Sequence, residues 1–218
     1  MIRARFHALS IEEVANTVTH GFGLVLSVVG FAVLLLLASL RGGGWLIASC
    51  LVYGLSLVIL YAASTAYHGV IAPEKKLKLQ IVDHCGIYLL IAGSYTPFGV
   101  VILDKPGGLS LLILMWVFAL VGIAVKLVFK NRFSAASVVS YVIMGWLGVF
   151  AIQPLLAVLG FSAIALAVAG GITYSIGVVF FALHRLPHNH AIFHVFVLAG
   201  SVLHYVAVLI YVVPLGRT

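Results

Sequence analysis

Charge is what this sequence lacks. Only 8% of its 218 residues are Asp, Glu, Lys or Arg, and just five are acidic, where a soluble domain carries about 25% charged residues. That scarcity excludes a soluble domain of any size. Cysteine is scarce as well. Cys50 and Cys85 each lie inside an apolar segment, so they read as small buried hydrophobes and not as a disulfide framework. What is present is hydrophobic: 64% of the chain, with a mean hydropathy of +1.26. Together these describe an integral membrane protein built of helix, long enough for roughly seven spans of about 20 residues each. The net charge of +7 does not point to nucleic acid, because the basic residues form short clusters between apolar segments, as topogenic charges do.

The apolar segments run roughly 17–40, 45–68, 82–103, 107–129, 134–153, 161–183 and 191–213. Turn or charge signals separate them: "RGGG" at 41–44, "APEKKLK" at 72–78, "DKPGG" at 104–108, "KNR" at 130–132, Pro154, and "HRLPHNH" at 184–190. The first run is too long for a signal-peptide core and lacks a clear cleavage site, so it reads as a retained span. The expected fold is an all-α, seven-transmembrane helix bundle. Residues 1–16 form a cytoplasmic segment, 17–213 one membrane domain and 214–218 a short outer tail. With the N-terminus cytoplasmic and the C-terminus outside, nine Lys and Arg fall on the inner side and three on the outer, as the positive-inside rule asks. The expected location is an inner (plasma) membrane.

On that map the ionisable residues converge. Ser64 and His68 end the second span, Asp83 starts the third, and His190 and His194 start the seventh. Glu13, Asn16 and His20 follow an i, i+3, i+7 stripe at the start of the first. All fall at the cytoplasmic depth, and buried ionisable groups in a bilayer are expensive unless partnered. His190 and His194 stand one helical turn apart on one face, a chelating spacing. With His68 they make a set of three imidazoles, which leaves a metal an open position. Asp83 is placed to orient or deprotonate a water, and Ser64 to hold that water or a developing oxyanion.

Blander roles exist for each residue taken singly. His68 suits a membrane interface, Asp83 a helix cap or a pair with Lys78, and Ser64 a bond to its own helix. None of these explains the shared depth. Glu13 and His20 admit two roles, as partners of the ligands or as headgroup anchors of the first helix. His184 and His188 fall in a loop, His84 points about 100° away from Asp83, and His204 lies about 15 Å beyond His194, too far for the same ion. "GSYTPF" at 93–98 suggests a proline kink met by Ser94 or Thr96. Trp45, Trp116 and Trp146 read as interface anchors or packing residues.

Three motifs, "EEVANTVTHGFG" at 12–23, "STAYHG" at 64–69 with "DHCGIYLLIAGSYTP" at 83–97, and "HAIFHVFVLAGSVLHY" at 190–205, resemble those of bacterial haemolysin-III-like proteins of the progestin and adipoQ receptor (PAQR) family. The resemblance covers about residues 10–213. It implies a seven-helix bundle with Zn²⁺ near the cytoplasmic face, held by the positions of His68, His190 and His194. Asp83 matches an aspartate that contacts zinc through water, and Ser64 its neighbouring serine. The family is similar to a wider group of membrane hydrolases that includes alkaline ceramidases.

Three functions follow as expectations. The first is zinc-dependent hydrolysis of a lipid-like amide or ester drawn from membrane lipid. The second is a non-catalytic sensor or regulator of membrane composition or energetics with structural zinc. The third is a proton or solute transporter, which the one-sided placement of the charges disfavours. A lytic role has no mechanism in these residues.

Overall fold

A computed structural model describes residues 9–130, 132 and 134–217. Arg3 and Arg5, which enter the orientation count, lie outside them, as do Asn131 and Thr218. All regular structure among the described residues is helical: α1 (Ile11–Arg41), α2 (Gly44–Gly69), α3 (Pro73–Val100), α4 (Gly108–Phe129), α5 (Ser134–Trp146), α6 (Ile152–Ala182) and α7 (Asn189–Ala207). A π-turn (Val208–Val212) and a 3₁₀ turn (Val213–Arg217) extend α7.

Helix α1 starts at Ile11, ahead of the apolar run that begins near Thr17. Ser10 caps it, its Oγ accepting the Glu13 N–H at 3.2 Å, and Glu12 and Glu13 occupy the positive end of the helix dipole. Capping therefore carries Glu13, Asn16 and His20 into one regular helix. In the same way α3 starts at Pro73, a residue suited to the first helical position, and so takes in the basic run before Asp83.

Five stretches are long and apolar enough to cross a membrane: α1, α2, α4, residues 135–182 and residues 189–216. Helix α3 is not among them, because it carries Glu74, Lys75, Lys76, Lys78, Asp83 and His84. The 48-residue stretch is two limbs. Trp146 donates from Nε1 to Ser175 Oγ at 3.1 Å although 29 residues separate them. A straight helix would hold them about 44 Å apart, so the chain reverses between them. The expected break at Pro154 needs correction, since Pro154 lies inside the first turn of α6, where its missing N–H costs nothing. The break falls at Gly160, the last residue of the gap expected between 134–153 and 161–183, with φ 78° and ψ 171°, a conformation that a residue with a Cβ resists.

The bundle interior bears out several sequence expectations. Cys50 and Cys85 are free and buried. The indoles of Trp116 and Trp146 bond Thr96 and Ser175 on neighbouring helices; Trp116 is partly buried, while Trp146 and Trp45 are exposed. Pro97 sits inside α3 as expected, but Ser94 and Thr96 donate to the carbonyls of Ile91 and Ala92 and not to that of Gly93, the one a proline at 97 frees.

Close approach of α2 and α3 depends on Gly93, where a Cβ would collide with the Ser56 side chain. Gly93→Ala is expected to cost about 1–3 kcal/mol through overpacking, read as a lowered thermal midpoint of the purified protein. Gly145→Ala is the control. A Cβ there meets nothing within 4 Å, and Ala outranks Gly in a helix, so stability should hold or rise.

Candidate metal centre and its cavity

Two helices bring the three histidines together, α2 carrying His68 and α7 carrying His190 and His194. One ligand atom from each lies within 4.8 Å of the other two. His68 and His194 are buried and His190 is half-buried. The ring centroids are 4.9 Å apart for His68 and His190, 5.0 Å for His68 and His194, and 4.6 Å for His190 and His194. Tetrahedral coordination at roughly 2.05 Å would hold the nitrogens about 3.3 Å apart, a separation that modest side-chain rotation reaches.

For His68 and His194 the surroundings decide which nitrogen the ring offers. His68 Nδ1 donates to Glu13 Oε2 at 2.6 Å, and the other Glu13 oxygen accepts from Lys76 Nζ at 2.7 Å. A carboxylate that receives the Nδ1 proton leaves a lone pair on Nε2. His68 Nε2 is buried and has no hydrogen-bond partner, which is the state of a ligand atom facing a metal position. His194 Nδ1 lies 3.3 Å from Thr19 Oγ1. The Thr19 hydroxyl has its proton aimed at the carbonyls of Ala15 and Asn16, at 2.9 and 3.0 Å. Its lone pair therefore accepts from His194 Nδ1, and Nε2 again keeps its lone pair. A set of neutral imidazoles, two of them so oriented, suits a borderline divalent metal.

The other expected residues gather beside this group. His20 stacks on His194, with centroids 3.5 Å apart and planes 14° from parallel. Its Nδ1 meets Ser64 Oγ at 2.6 Å, and Ser64 also contacts the buried Asp83 carboxylate. Asn16 is only 2% exposed, yet its Oδ1 has no partner. Between a headgroup anchor and a partner of the ligands, the structure places Glu13 against His68, and His20 against His194 and Ser64.

A cavity opens from the histidines. His20, Ser64, Asp83, His190 and His194 line its polar end, and Ile87, Leu90, Val138, Val142 and Val197 its apolar wall. It reaches His204, beyond which a second cavity continues toward Leu155 and Ile164. Such a passage suits a molecule with a polar end and a hydrocarbon chain. His204 takes no part in the triad. Its Nε2 meets the Ala167 carbonyl at 2.9 Å, the interior hydrogen bond expected of it. His184 and His188 are exposed. His84 lines the cavity wall without joining the triad.

Sequence reasoning missed Thr19 and Lys76. Thr19 could have been suspected from its place three residues after Asn16, on the side of α1 that carries the polar stripe. Nothing in the "KK" of residues 75–76 separates Lys76 from Lys75, since only the path of α3 past α1 selects it.

The description "Haemolysin-III related" fits a family model that matches residues 9–205 of this chain. The chain is 45% identical over 203 residues to Hemolysin-3 of Bacillus cereus, covering 93% of each chain. It is 42% identical over 202 residues to a Hemolysin-3 homolog of Bacillus subtilis (strain 168), covering 93% of this chain and 95% of that one. It is also 30% identical over 214 residues to the human monocyte to macrophage differentiation factor, covering 94% of this chain and 86% of that one.

Removing the carboxylate that orients a metal-ligating histidine lowers metal affinity by about 10–100-fold. Glu13→Ala should do this in a chelator competition with the purified protein. Glu12→Ala, on the exposed side of the same turn, should leave affinity unchanged.

Proposed function

The chain belongs to the haemolysin-III-related family, and from that premise we propose a seven-crossing membrane enzyme that uses zinc to hydrolyse a lipid-like amide or ester. The observation that carries this reading is the open set of three histidines, two of them oriented by hydrogen bonds, at the polar end of a cavity with a hydrocarbon-like wall. Two features support the span count. The 135–182 stretch reverses on itself, and α3 fills the remaining place with a helix made polar by the site it lines. The excess of Lys and Arg on the side of the histidines supports a cytoplasmic N-terminus and an outer C-terminus, with the bacterial inner membrane as the setting.

His68, His190 and His194 would hold the zinc. When bound, zinc keeps a position open, polarises a carbonyl oxygen and lowers the pKa of water to about 7. The remaining steps belong to the chain. The cavity wall aligns the acyl chain so that the scissile carbonyl comes to rest beside the histidines. Asp83 takes a proton from the attacking water and passes it to the leaving amine or alcohol. The Ser64 hydroxyl has one proton. While Asp83 is a carboxylate, that proton is aimed at Asp83, and Ser64 accepts from His20 Nδ1. Once Asp83 has taken a proton, Ser64 is free to donate to the developing oxyanion. Hydroxyl and carboxylate therefore change roles together.

Elemental analysis of the purified protein should find zinc in the wild type and its loss in His194→Ala. Lipid profiles of cells expressing wild type or Asp83→Asn should then differ in one amide or ester class. Turnover by the purified variant should fall by about 10²–10⁴-fold while the metal stays bound. If Asp83→Asn keeps metal and lipid profile alike, the zinc is structural and the sensor function replaces the hydrolase.

A further inference from the structure

Lys126 is 2% exposed, and its Nζ has no hydrogen-bond partner. None of the ion pairs among the described residues includes it. An ammonium buried in an apolar bundle without a counter-charge is expensive, so its retention calls for something that pairs with it.

Its neighbour is found from the packing of α3 and α4. A Cβ on Gly99 would strike Leu112, Trp116 bonds Thr96, and Gly122 sits on the Tyr88 ring. These contacts define an antiparallel register, and one turn further along it Lys126 meets His84. The two lie within electrostatic reach of each other, with Cys85 beside them. His84 Nδ1 is also buried with no partner, and His84 lines the cavity next to Asp83. The hydroxyls around the pair are committed elsewhere. Tyr141 donates to the His84 carbonyl at 3.1 Å, Tyr88 bonds Ser140 at 2.7 Å, and Ser140 donates to the Ser137 carbonyl. Lys126 Nζ and His84 Nδ1, on neighbouring helices, are both left without a hydrogen-bond partner.

We propose that His84 on the cavity wall and Lys126 behind it form an oxyanion subsite, which takes the phosphate or carboxylate of an amphiphile whose chain lies along the apolar part of the cavity. The Lys126 ammonium supplies charge, and a protonated His84 Nδ1 supplies direction. The substrate class thereby narrows to anionic lipids, a statement that rests on the hydrolase reading for turnover but not for binding.

The full chain, purified in an uncharged detergent, is titrated with a long-chain alkyl phosphate, the matching carboxylate and the matching alcohol. At least one anion should bind about tenfold tighter than the alcohol, equivalent to about 1.4 kcal/mol. Lys126→Met should erase that preference and leave alcohol binding unchanged, Lys126→Arg should keep it, and His84→Leu should reduce it. Lys126→Met removes an unpaired buried charge, so its thermal midpoint should hold or rise. Should it fail to fold, Lys126→Arg and His84→Leu still read the site. His194→Ala should lose metal and keep the preference, which separates failure of this subsite from failure of the metal reading. Competition by inorganic phosphate at comparable affinity supports the subsite with a free anion as its source. Weak competition supports the lipid headgroup. Equal binding of both anions and the alcohol by the wild type, or a preference surviving in Lys126→Met, overturns the proposal.

Discussion

An imidazole inside an apolar bundle has no water to turn to, so each of its nitrogens must be met by the protein or by something the protein binds. The bond from His68 to Glu13 is the hinge of this arrangement. Glu13 on α1 holds His68 on α2 at 2.6 Å and Lys76 on α3 at 2.7 Å, so one carboxylate ties three helices together at the end where the histidines gather. Its charge is compensated by Lys76, its orientation is set by the capped first turn of α1, and its effect is to leave His68 Nε2 bare.

Helix α1 is also the most surprising participant. Much of its surface is exposed, with Val18, Phe22 and Val25 each more than half open, as expected of a helix at the rim of a bundle in lipid. One narrow stripe faces inward, and along it Glu13 holds His68, Thr19 accepts from His194 and His20 bonds Ser64. A single peripheral helix thus sets the orientation of ligands on two others.

Deeper in the bundle the same demand for partners is met without any chemistry to perform. Tyr61 and Tyr174 both bond Ser201, and Tyr205 donates to the Gly30 carbonyl. These bonds satisfy most of the hydroxyls beneath the histidines, the buried Tyr53 hydroxyl excepted. Against that background the bare atoms stand out. His68 Nε2 and His20 Nε2 lie at the candidate metal centre, while Lys126 Nζ lies near His84, whose own Nδ1 is bare and whose side chain lines the cavity. Asn16 Oδ1, the Tyr53 hydroxyl and His204 Nδ1 are unpartnered as well, so it is the clustering of bare atoms with other ligand-type groups that marks where a ligand belongs.

The sequence by itself determined the membrane class, the helical architecture, and the convergence of Ser64, His68, Asp83, His190 and His194. Hydropathy and helical period are local properties, and a residue's depth along a span follows from counting residues between two turns. What only the tertiary structure decided were lateral relations. It separated Lys76 from Lys75, brought Thr19 to His194, set Lys126 beside His84, and moved the break from Pro154 to Gly160. Which faces of neighbouring helices meet depends on how every helix rotates and packs at once, and no local pattern in the chain encodes that.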